Sequence, residues 1–81
     1  MEILPNHAEV ILRGENLQGD SFVLARTGQS FATWAIDQDR NAFWGHYYSF
    51  TLDGLIDAAP DFKRRTGHPH PVTPLKGVKQ L

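Results

Sequence analysis

The sequence predicts an α+β fold: a small antiparallel β-meander of three to four strands, followed by one C-terminal helix packed on one face. Three observations predict it. The segments 21–26, 30–37 and 42–49 are rich in β-branched and aromatic residues. Only a few residues separate them, and connections that short join antiparallel neighbours. From Leu52 onward the apolar residues change to helical spacing.

Residues 1–7 contain Pro5 and little periodicity. In 8–13, AEVILR, Val10 and Ile11 favour a strand, although Asn6 is also a suitable cap for a short helix; the strand is the preferred reading. GENLQGD is a loop punctuated by Gly14 and Gly19. SFVLAR is the next strand, and Thr27-Gly28 reads as a two-residue turn in which Gly28 takes a positive φ. That turn places Arg26 opposite Gln29, Leu24 opposite Phe31 and Phe22 opposite Thr33. Since alternate residues of a strand point oppositely, Phe22, Leu24, Phe31 and Thr33 share one face (face one), and Val23, Ala25, Ala32, Trp34 and Ile36 share the other (face two). Gln38–Asn41 is a polar loop. The register of strand 42–49 is open by one residue. In one alternative Trp34 covers the bare backbone of Gly45; in the other it shares a face with Trp44, His46 and Tyr48.

Thr51 is suited to cap the helix and Asp53 to complement its dipole. Leu52, Leu55, Ile56, Ala59 and Phe62 form its apolar stripe, while Asp53, Asp57 and Asp61 mark its wet side. Pro60 predicts a kink, or a helix ending near Ala59 with a short turn restarting at Pro60. Lys63, Arg64 and Arg65 suit a helix C-terminus, and Gly67 suits the position just beyond it. Residues 1–67 therefore read as a single α+β domain. Residues 68–81, with Pro69, Pro71 and Pro74, read as a proline-rich basic tail.

Eighty-one residues bury too little surface for ample stability, and the absence of cysteine removes disulfides and thiolate metal sites. Oligomerisation is the natural compensation. No basic, apolar leader opens the chain and no run is long enough to cross a bilayer. The expected partners thus exclude the membrane, and the default compartment is the cytoplasm. The net charge of −1 hides a split. Residues 1–61 carry nine acids against three bases, while residues 62–81 carry five bases and no acid. Such a split suits either an anionic partner or a tail lying against its own acidic body.

Motifs for chemistry are sparse. His68-x-His70, with His7 or His46, is a weak zinc pattern lacking an acidic ligand, and no metal or cofactor is expected. There is no nucleophile elbow and no phosphate-cradling glycine motif. Asp37 and Asp39 share a loop and read as turn residues. The protein is expected not to be an enzyme.

The informative feature is aromatic. Seven of the nine aromatic residues lie between Phe31 and Phe50. The small side chains of face two, Val23, Ala25 and Ala32, suggest that the helix stripe packs there. Face one, with Phe22, Leu24, Phe31, Phe43, Trp44, Tyr47 and Tyr48 as the binding surface, is then left for a partner, most simply a second copy in a homodimer, or another protein. Alternatively the N-terminal segment and the tail cover it within one chain. A second functional reading is a single-stranded nucleic-acid binder that stacks bases on these rings and contacts phosphate through Lys63, Arg64 and Arg65; it is weakened by the acidic balance of the strands. A third is a small-molecule binder in an aromatic-lined apolar pocket.

Overall fold

The structure is a computed structural model that describes residues 2–67. The His68-x-His70 pair, the proline-rich segment and the tail lysines lie outside the described residues. Four strands, β1 (Glu9–Glu15), β2 (Ser21–Arg26), β3 (Ser30–Ile36) and β4 (Ala42–Ser49), form one antiparallel sheet in the order β1-β2-β3-β4. One helix, α1 (Leu52–Arg65), packs against it. This is the α+β meander that the periodicities predict, and the strand reading of 8–13 holds in β1.

The β2–β3 register differs from the expected one. Arg26 pairs with Phe31, Leu24 with Thr33 and Phe22 with Ala35. The connection is longer than two residues because Thr27 organises it. Its Oγ1 accepts hydrogen bonds from the backbone N–H groups of Gln29 (3.0 Å) and Ser30 (2.9 Å), and its own N–H donates to Ser30 O (2.9 Å). Gly28 does not take a positive φ; among the described glycines, Gly19 and Gly67 do. The slip is two residues, so every side chain keeps its predicted face.

The β3–β4 pairing resolves its ambiguity with a bulge. Ile36 and Ala35 pair with Ala42 and Phe43, whereas Thr33, Ala32 and Phe31 pair with His46, Tyr47 and Tyr48, one residue out of step. The extra residue falls at Trp44–Gly45, opposite Trp34. The Trp34 indole lies over Gly45, where a Cβ would come within 2.6 Å of Nε1. Residues 46–49 thus follow the register in which the indole covers the glycine.

The location of the helix is a correction. It packs on face one, where Phe22, Leu24 and Ala35 meet Ala58 and Phe62, with Phe31, Tyr48 and Leu55 around them. Face two is closed by the N-terminal segment, whose Leu4 and Ala8 join Val23, Ala25, Ala32, Trp34 and Ile36. That segment is tied down by Glu2, which accepts two hydrogen bonds from the Arg13 guanidinium (3.0 and 2.7 Å), and by Arg40, which donates to Ile3 O (2.9 Å). The Arg13 hydrogen bonds hold the Glu2 carboxyl below its usual value. Small residues are indeed what admit the helix, but they sit on the helix. Gly54 packs on the Ser49 backbone and Ala58 is buried. The large side chains of face one fill the space they leave.

The helix is also rotated by about one residue's step, roughly 100°. Gly54, Ala58, Asp61 and Phe62 face the sheet, while Leu52 and Ile56 are 72% and 57% exposed. Asp61 is therefore not on the wet side. Thr51 caps the N-terminus, its side chain accepting from Gly54 N at 3.0 Å. Gly67, at φ 67°, follows the C-terminus and donates to Arg64 O. The helix runs unbroken through Pro60. Pro60 and Ile56 are both exposed, so the carbonyl that the proline leaves without a donor lies on the solvent side.

Candidate functional site: the aromatic edge and the polar seam

Strand β4 is an edge of the sheet, and its sequence AFWGHYYS contains no Lys, Arg, Asp, Glu or Pro. The bulge turns its side chains so that rings stand on both sides. Phe43 lies on face one, paired with Ala35, and Tyr47 lies on face two, paired with Ala32. Trp44, at the bulge, has φ 55°, a left-handed conformation that costs a bulky residue of order 1–3 kcal/mol. Its side chain is 74% exposed and stacks edge-on against Phe43, with ring centroids 5.0 Å apart. Tyr47 is 64% exposed, yet it is anchored at its hydroxyl, which accepts from Trp34 Nε1 at 3.2 Å. The two rings meet edge to face at 6.0 Å.

The seven residues expected to form the binding surface divide. Phe22 and Leu24 are buried beneath the helix and belong to the core. Phe31 and Tyr48 are half-buried at its margin, Phe31 against Phe50 at 5.2 Å. Phe43, Trp44 and Tyr47 are exposed along β4. Face one is thus not open as a whole. Phe50, absent from that set, is also exposed.

The expected anion contacts divide as well. The Arg64 guanidinium donates to Asp61 Oδ1 (3.2 Å). Arg65 donates to the backbone and hydroxyl oxygens of Thr33 (3.0 and 3.1 Å) and lies over the Phe22 ring at 5.3 Å. Lys63 is exposed. Two of the three bases are therefore engaged within the fold.

The partner of Arg64, Asp61, is the centre of a polar seam between helix and sheet that the residue pattern did not reveal. Asp61 is 2% exposed. Its Oδ2 accepts from Thr33 Oγ1 at 2.7 Å and lies 2.9 Å from His46 Nδ1. Burial pushes the carboxyl pKa up, but the hydrogen bonds from Thr33, His46 and Tyr48 outweigh it and leave the group below its ordinary value. An ionised carboxylate only accepts, so His46 Nδ1 carries the hydrogen. Burial, together with the hydrogen bond to Asp61, raises the Tyr48 phenol. The seam holds His46 with its ring half in solvent, an arrangement that orients an imidazole for proton transfer when a reacting group lies beside it. Among the described residues no side-chain hydrogen bond reaches its Nε2, and no group of three His, Cys, Asp or Glu side chains is poised for a metal. The signal in the sequence was Thr33, a hydroxyl at the centre of an apolar strand.

Two shallow clefts flank Phe43. One, of about 160 Å³, is bounded by Ser21, Phe22, Ala35, Phe43 and Trp44. The other, of about 420 Å³, lies between the β1–β2 and β3–β4 loops and is lined by Asp20, Asp37 and Gln38 together with Ile36 and Phe43. The exposed rings thus stand along an edge rather than lining an enclosed cavity. Among the described residues no helix is long and apolar enough to cross a membrane. Comparison with protein families, with curated proteins and with solved structures finds no match.

Proposed function

We propose that this protein is a small non-enzymatic binding module that self-associates through the aromatic edge around β4. The observation that carries the reading is Trp44. The chain holds a large ring mostly in water, on a strained backbone, between two other exposed rings. Among the described residues Phe43 is its aromatic neighbour, and the Trp44 ring remains 74% exposed. Strained, over-determined positions cluster where proteins bind, and Trp and Tyr are the residues that dominate interface energetics. The polar seam is accounted for by its work in seating the helix, since a buried aspartate needs donors and face one supplies Thr33 and His46. The nucleic-acid reading loses support because Arg64 and Arg65 are committed to internal partners.

Sedimentation of the purified chain over the micromolar range tests this. A dimer that Trp44→Ala converts to monomer is the expected result. A wild-type chain that stays monomeric throughout sinks the reading.

A further inference from the structure

We propose that the second copy joins by backbone pairing, β4 to β4 and antiparallel about a twofold axis, so that two four-stranded sheets become one of eight strands. This inference rests on the self-association reading and specifies its geometry.

The two edges of the sheet differ in how they are guarded. Edge strands invite pairing unless charge, proline, bulges or covering segments prevent it. β1 has most of these defences. It carries Glu9, Arg13 and Glu15, and its pairing slips between Val10 and Leu12. The N-terminal segment lies along it, with Val10 N donating to Glu2 O and Ile3 bridging Glu9. β4 has one irregularity, the bulge at Trp44–Gly45, and beyond it the register is continuous from His46 to Ser49. No formally charged residue stands on β4, so a twofold axis on this strand brings no like charges together. An antiparallel strand pair is self-complementary about such an axis, which is the symmetry of most homodimers.

The positions of the exposed rings select the register. Centring the axis on Tyr47 sets Tyr47 opposite the Tyr47 of the second copy, and His46 opposite its Tyr48. The same register sets Trp44 opposite Phe50 at both ends of the pairing. Tyr47, Trp44 and Phe50 are all exposed in one copy, and this single register brings each against another ring. Cross-strand aromatic pairs of this kind are the stabilising units of antiparallel sheets. It also gives the exposed Trp44 ring a second aromatic neighbour beside Phe43.

The absence of cysteine allows a clean test with single thiols. Directly opposite residues have Cβ atoms about 4.5–5.5 Å apart, within reach of oxidation or a short thiol cross-linker. Tyr47→Cys is expected to yield a covalent dimer, and Leu12→Cys on β1 is not. Because Tyr47→Cys removes a contacting ring, hydrogen exchange on the wild-type chain provides an independent measure. Those amides of residues 45–49 that point away from β3 should gain at least tenfold protection as concentration crosses the dimerisation range, with β1 amides unchanged. A dimer by sedimentation that shows neither the cross-link nor protection on β4 overturns edge pairing and leaves self-association standing. A dimer cross-linked through Leu12→Cys does the same. A wild-type monomer overturns both.

Discussion

The hydroxyl of Thr33, at the centre of β3, donates a 2.7 Å hydrogen bond to Oδ2 of Asp61 on α1, twenty-eight residues further along the chain. Both residues are buried. This bond and the one to His46 on β4 tie the helix to face one of the sheet with Asp61 turned inward. Removing the carboxylate leaves Thr33, His46 and Arg64 each short of a partner, and the Thr33 hydroxyl is fully buried. Asp61→Ala is therefore expected to destabilise the fold by roughly 3 kcal/mol in urea unfolding. Asp57→Ala, one turn earlier and exposed, is expected to change stability by less than about 0.5 kcal/mol. Equal effects would mean that the seam is not structural.

Stability should also carry the signature of this carboxylate in its pH dependence. Its folded pKa lies below its ordinary value of 3.8. A depressed carboxyl contributes stability that is fully present above the unfolded value. That contribution drains as pH falls through 3.8 toward the folded value. Between these two values the unfolded chain binds the proton and the folded chain does not, so acid favours unfolding. Urea midpoints measured from pH 7 down to pH 2.5 should show this decline, and Asp61→Asn should flatten the part of it below pH 4. At the alkaline end the sign reverses. The raised Tyr48 phenol keeps its proton longer when folded, so its contribution falls as pH rises above the usual tyrosine value.

Gly54 offers a test of the close helix–sheet approach. On propensity alone, alanine in a helix is better than glycine by roughly 1 kcal/mol. A Cβ at Gly54, however, would fall inside the contact distance of the Ser49 backbone carbonyl oxygen. That atom belongs to the chain entering the helix and cannot swing aside. Gly54→Ala is expected to lower stability by about 2 kcal/mol or more, measured by thermal or urea unfolding; a gain would show that the helix sits further from β4.

Trp44→Gly separates stability from association. Glycine adopts φ 55° without steric penalty, so the monomer should become more stable, by about 1 kcal/mol. The same change removes the exposed ring and should abolish self-association in sedimentation. A more stable chain that still dimerises would show that Trp44 is strained for some other reason.

Much of this protein was legible in its residues. Strand-like segments at short spacing determined an antiparallel meander of three to four strands, and the structure makes it four. Thr51 and Asp53 determined where the helix starts, whereas its end was open between Ala59 and Gly67 until the structure showed it running through Pro60. The alternation along β2 and β3 determined which side chains share a face, and this survived a register slip because the slip was even. Only the tertiary structure decided which face receives the helix. Leu52 and Ile56 read as core because they are apolar at helical spacing, yet Gly54, Ala58 and Asp61 face the sheet. Helical periodicity ranks side chains by hydrophobicity. It cannot weigh the close approach allowed by a glycine, or a buried carboxylate that meets its donors only when a strand residue, a second-strand histidine and a helix arginine converge. The aromatic edge follows the same division. Its rings are visible in the sequence, but the bulge at Trp44–Gly45 and the covering of both broad faces by other segments leave just Phe43, Trp44 and Tyr47 of the expected surface standing out along β4. Exposure is a property of what packs where, and that is set by contacts between residues far apart in the chain.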